Sequence, residues 1–173
     1  MGYMLYLDRQ FGNALAFVQT QQHWSMQPEI HGLDKFMTLF TFEPVWSIYL
    51  PQSTAYWARH EYVANPFFSL QFWNPIYFVV CVVVIAYGAK QRWLTVPEIL
   101  LSVGLLGIPY AMQSHRMMML GHGRFTCIVF PLYIVAGRIL SGLPDSFRYV
   151  IYTLMGVQLF YWSALFAAGH RVF

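Results

Sequence analysis

The stretch Phe72-Trp-Asn-Pro-Ile-Tyr-Phe-Val-Val-Cys-Val-Val-Val-Ile-Ala-Tyr-Gly-Ala89 decides the fold class. It carries no charged side chain, and wound as a helix it is close to the thickness of a bilayer's hydrocarbon core. In water its β-branched run would favour a strand. In lipid the backbone has no outside hydrogen-bond partner and must satisfy itself, so a helix is expected. Lys90, Gln91 and Arg92 end it.

Three more apolar segments follow, at about 96–112, 125–140 and 149–168. Pro97 and Glu98 suit the first turn of the second, where the missing N–H is harmless and the helix dipole favours an acid. Pro131 is expected to kink the third. Gly104, Gly107, Gly137 and Gly156 offer close-packing positions between helices. Composition agrees with the spans: 58% of the 173 residues are apolar and 10% charged, against about 25% charged in soluble domains. The expected fold is an all-α integral membrane protein, with about four transmembrane helices in residues 71–173. The net charge of +3 comes without a dense Lys/Arg cluster, so no nucleic-acid partner is expected. Cys81 and Cys127 lie inside apolar runs and do not fix a redox compartment.

Residues 1–70 read as an extracytoplasmic or interfacial region. Met1–Leu7 is too short for the apolar core of a secretory signal and runs into Asp8 and Arg9. Phe11, Leu15 and Val18 recur at helical spacing, as in an amphipathic helix lying on the membrane. Phe36 to Leu50 is apolar but short, and Glu43-Pro44 interrupts it, which suits a re-entrant or interfacial segment. Lys90 and Arg92 lie in one short connection, and Arg138 and Arg148 flank the other. The positive-inside rule makes that side cytoplasmic. Residues 1–70 and the connection 113–124 then face outward.

The chemistry concentrates in His115-Arg-Met-Met-Met-Leu-Gly-His-Gly-Arg124. Arg124 enters the third segment, where a charge is costly unless it meets protein, water or an anion. A guanidinium there matches the oxygens of a lipid-linked phosphate bidentately. The plainer reading is snorkelling of Arg116 and Arg124 to headgroups. Gly121 and Gly123 leave room for a ligand to approach the backbone. His115, Met117, Met118, Met119 and His122 are soft copper(I) ligands by type, but successive helical residues point apart, so no metal site is assigned. Asp8, Glu29, Asp34, Glu43 and Glu61 are the outward carboxylates, none with a spacing signature.

Phe11-Gly-Asn-Ala-Leu-Ala-Phe-Val-Gln-Thr-Gln-Gln-His-Trp24 resembles the G-[DN]-x-x-A-F-x-x-x-Q-x-x-W stretch of PIG-V-type mannosyltransferases, membrane enzymes of the GT-C class. Gly121-His-Gly-Arg-Phe-Thr-Cys-Ile-Val-Phe-Pro-Leu-Tyr133 is similar to that family's R-[YF]-x-x-x-x-F-P-L-[FY] element. The two stand in the family's order and cover about the C-terminal half of a typical member, so the implied architecture is a partial GT-C fold. The resemblance implies transfer of a sugar, usually mannose, from a polyprenyl-phosphate donor on the outer or lumenal face. It implies no other cofactor. By position Arg124 would contact the lipid phosphate, with Arg116, His115 and His122 in support, and Gln19, Gln22, His23 and Trp24 would line the cavity. The family's catalytic acid sits in an early loop that would precede Met1. No catalytic base is therefore carried over, and the chain alone is expected to be incomplete. The membrane would be the plasma membrane in a bacterium and the endoplasmic reticulum in a eukaryote. Two further readings are a non-catalytic scaffold or partner-held subunit, and a small transporter or metal carrier built on the His/Met loop.

Overall fold

A computed structural model describes residues 2–13, 30–60, 66 and 69–168. These residues form helices and turns, with no strand among them. The helices are α1 (Gly2–Phe11), α2 (Gly32–Phe40), α3 (Glu43–Trp46), α4 (Trp57–His60), α5 (Leu70–Lys90), α6 (Val96–Gln113), α7 (His122–Cys127), α8 (Phe130–Ser141) and α9 (Asp145–Ala167). A 3-10 turn, Ser47–Tyr49, follows α3.

Three helices are long and apolar enough to cross a membrane: α5 with 21 residues, α6 with 18 and α9 with 23. Their exposure pattern suits lipid as the solvent. In α5 the buried stripe Phe78, Cys81, Ile85 and Gly88 recurs every three or four residues. Val79, Val80, Val82 and Val83 on the other faces are exposed. In water that outer valine surface would be an association hazard; in hydrocarbon it needs no cover. No residue of α9 is buried, and its tie to α5 includes a hydrogen bond from Gln158 to the Tyr77 hydroxyl.

The third predicted segment is two helices in tandem. α7 ends at Cys127, and α8 begins at Phe130 with Pro131 in its first turn. Pro131 has no N–H to give and is favourable as a helix start, so the chain breaks rather than merely kinking. The Tyr133 hydroxyl donates to the Cys127 carbonyl across the break at 2.8 Å. That bond satisfies an acceptor that would be costly to leave bare in lipid.

α5 is the hub, touching α6, α7, α8 and the 3-10 turn. Its start is capped by Ser69, whose side chain accepts from the Phe72 N–H at 3.0 Å. Its end closes through Trp93 N–H to Gly88 O at 2.9 Å and Arg92 N–H to Ala89 O at 3.0 Å, a Schellman arrangement with Arg92 left-handed at φ 56°. α6 then opens on Glu98, whose carboxylate accepts from the Thr95 N–H at 2.6 Å and hydroxyl at 2.8 Å. The Arg138 guanidinium lies 5.8 Å over the Trp93 ring. Both short connections therefore share one end of the bundle.

The glycines of the contact differ from those expected. Among the described residues, a Cβ at Gly104, Gly107, Gly137 or Gly156 would meet nothing within 4 Å, so these four do not bring the described helices together. Gly88 does: a Cβ there would run into the Val135 side chain of α8. Helical face, which glycine content does not report, makes the difference. Replacing Gly by Ala in an open helix normally stabilises by about 1 kcal/mol. Gly88→Ala is expected to do the reverse, by about 1–3 kcal/mol of overpacking, with recovery in Gly88→Ala/Val135→Ala. Thermal unfolding in detergent checks this, and a Gly88→Ala protein as stable as the parent contradicts the contact.

Candidate functional site

At the other end of the bundle the N-terminal pieces meet the α6–α7 connection. The Tyr110 hydroxyl of α6 donates to the Leu39 carbonyl of α2 at 3.0 Å. The Tyr49 hydroxyl donates to the Phe72 carbonyl of α5 at 2.8 Å. Phe42 is left-handed at φ 55°, which reverses the chain between α2 and α3. Glu43, at the start of α3, is thereby set against His115, with its Oε2 at 3.4 Å from Nδ1.

His115 and Arg116 line a small cleft of about 30 Å³ with Lys35, Leu39, Ile30, Ala111 and Met112. Two permanent cations and a histidine thus surround one opening, and Glu43 is the described carboxylate set against the histidine. Such a cluster favours an anion. Glu43 and Lys35 do not stand out by motif. The available signal was a lone acid interrupting an otherwise apolar run, which predicts a partner somewhere in the fold.

The connection itself is wound left-handed at Met118 (φ 47°), Met119 (φ 59°) and Gly121 (φ 80°). Glycine takes such angles freely, but the conformation costs other residues about 1–2 kcal/mol each. Met118 is 2% exposed and Met119 fully buried. Burying a methionine side chain stabilises by about 1.5–3 kcal/mol, enough to hold each in that conformation. Gly123 is not open to a ligand, because a Cβ there would meet Asn74 Oδ1 of α5 at 2.7 Å.

His122 and Arg124 of α7 separate. His122 is 1% exposed and sits edge-on to Phe78 and Phe125, at 6.1 Å and 5.9 Å between ring centroids. The carbonyls of Met119 and Pro109 lie near it, yet among the described residues neither ring nitrogen has a hydrogen-bond partner of good geometry. Arg124, two residues on, is exposed on another face. So the structure joins His115 to Arg116, seats His122 in an aromatic cage and leaves Arg124 outside both. Gln19, Gln22, His23 and Trp24 lie outside the described residues. The soft donors of this stretch point apart: His115 to Glu43, Met118 and Met119 into the core. Among the described residues no group of three or more His, Cys, Asp or Glu could hold a metal ion. Cys81 and Cys127 are not bridged.

Comparison with protein-family models, with curated proteins and with solved structures found no match.

His122→Phe removes two buried nitrogens that lack a well-aligned partner among the described residues and should match or exceed the parent's stability, as followed by thermal unfolding in detergent. A loss of more than about 2 kcal/mol in the variant contradicts the caged imidazole.

Proposed function

We propose that this chain is the C-terminal part of a polyprenyl-phosphate-sugar-dependent membrane glycosyltransferase, mannosyltransferase-like as its two motifs suggest. The tandem α7–α8 supplies a fourth crossing, and the His115–Arg124 end faces the non-cytoplasmic side. The observation that carries the reading is the Lys35–His115–Arg116 cleft with its Glu43 counter-charge, at the end of the bundle away from Lys90, Arg92 and Arg138. A sugar–phosphate bond breaks in such a reaction, and the phosphate leaves with the electron pair. The acceptor oxygen bonds to the sugar carbon and gives up its proton to a base. Cations stabilise the phosphate as its charge grows, which is the task proposed for Arg116 and Lys35 in the cleft. Glu43 keeps His115 oriented. No residue described here is assigned as the base.

The membrane is the plasma membrane of a bacterium or the endoplasmic reticulum of a eukaryote, with the donor reaching the cleft from the lipid. The test is transfer of radiolabelled sugar from a polyprenyl-phosphate donor by membranes containing this chain within the longer enzyme that the proposal implies. Arg116→Ala should lower transfer about tenfold or more, the value of a hydrogen bond to a charged group. Arg148→Ala, paired with Asp145 at the far end, should leave it within about twofold. Equal losses for the two, or no transfer by the parent membranes, count against the proposal.

A further inference from the structure

A second opening lies on the outer side of the bundle, between α6 and α7. It is a groove of about 430 Å³ lined by Leu100, Leu101, Gly104, Leu105, Ile108, Pro109, Phe125 and Ile128. Its lining is entirely apolar. Gly104 opens its floor, since no atom of the described residues lies within 4 Å of where a side chain would begin. Leu100, Ile108 and Ile128 are exposed along its walls.

Depth and direction can be read from the helices. Leu100 to Pro109 is nine steps along the middle of α6, about 14 Å of rise, close to the length of an extended acyl chain's buried part in a 30 Å hydrocarbon core. The His122 ring lies by the Pro109 carbonyl, so α7 starts near the Gln113 end of α6 and descends beside it. Arg124 precedes Ile128 by four residues, one helical turn, on the same face. Both are exposed. The long arginine side chain slants towards the helix N-terminus, here the membrane surface. An apolar slot about 14 Å long thus has a guanidinium towards its outer end.

We infer that this groove binds one acyl chain of an anionic bilayer phospholipid, with the lipid phosphate at Arg124. Hydrocarbon fills any such slot in a membrane, so the shape alone is unselective. Selectivity comes from the guanidinium, which pairs with phosphate through two parallel N–H donors and favours headgroups carrying net negative charge. The inference needs the chain to lie in a bilayer but does not depend on sugar transfer. It also gives Gly104 a use that helix packing does not.

Native mass spectrometry of the full chain in mild detergent tests it, with equimolar phosphatidylglycerol and phosphatidylcholine of identical acyl chains. The parent protein should retain one phosphatidylglycerol in about tenfold preference. Arg124→Gln should abolish the preference, and Gly104→Leu should lower retention of both lipids. Gly156→Leu, at an equally open position on α9, should leave retention unchanged. A diazirine-bearing phosphatidylglycerol, photolysed on the unaltered protein, reads the site without any substitution. Its adducts should fall on Leu100–Pro109 and Phe125–Ile128. Adducts spread evenly over α5, α6 and α9, or equal losses from Gly104→Leu and Gly156→Leu, would overturn the site. Displacement of the retained phosphatidylglycerol by a polyprenyl phosphate at equal concentration would overturn the phospholipid as its occupant and give the groove to the donor.

Discussion

Hydrocarbon offers the backbone no hydrogen-bond partner, and the rest of the structure depends on that constraint. It turns a valine-rich run into α5 instead of a strand. It also requires each interruption of a helix to find its own partners. α5 closes with paired bonds to Gly88 and Ala89, α6 opens on the Glu98 carboxylate, and Tyr133 covers the gap between α7 and α8. With the backbone satisfied locally, packing is free to be sparse. The buried stripe of α5 is narrow, its valines face outward, and α9 buries no residue at all.

The same constraint sorts the charges. Lys90, Arg92 and Arg138 gather at one end, tied by the stacking of Arg138 on Trp93. At the other end the chain folds back through two left-handed methionines, and their burial fixes where His115 and Arg116 stand. Tyr110 links the two levels: its ring stacks on Phe78 at 5.0 Å between centroids, and its hydroxyl holds α2, which carries Lys35. The cleft and the hydrophobic core therefore share a support. The caged His122 belongs to that support, whereas Arg124 belongs to the membrane-facing surface.

Spans were legible in the sequence because charge and proline mark their limits. Residues 72–89 became Leu70–Lys90, 96–112 became Val96–Gln113, and 149–168 became Asp145–Ala167. Pro131 announced an irregularity, and only its degree differed. Partnerships over long separations were not legible. His115 and Glu43 are 72 residues apart, and neither lies in a motif that names the other. Glycine content likewise does not say which face of a helix a glycine occupies, so Gly88 was missed and four open glycines were read as contacts. Arg124 and His122 looked like one site in a linear stretch, and helical rotation separates them.

The account rests on the bundle standing in a bilayer with its cleft end outside the cytoplasm. Single-cysteine labelling in intact cells tests this most directly, with Cys81 and Cys127 first replaced by Ala. Gln52→Cys, near the cleft end, should react with a membrane-impermeant maleimide added outside. Gln91→Cys, at the end held by Arg138 and Trp93, should react only after the membrane is permeabilised. In a eukaryotic cell the same contrast is expected across the endoplasmic reticulum membrane, with Gln91→Cys reactive from the cytosol. The reverse pattern, or both positions reacting from one side, would contradict it.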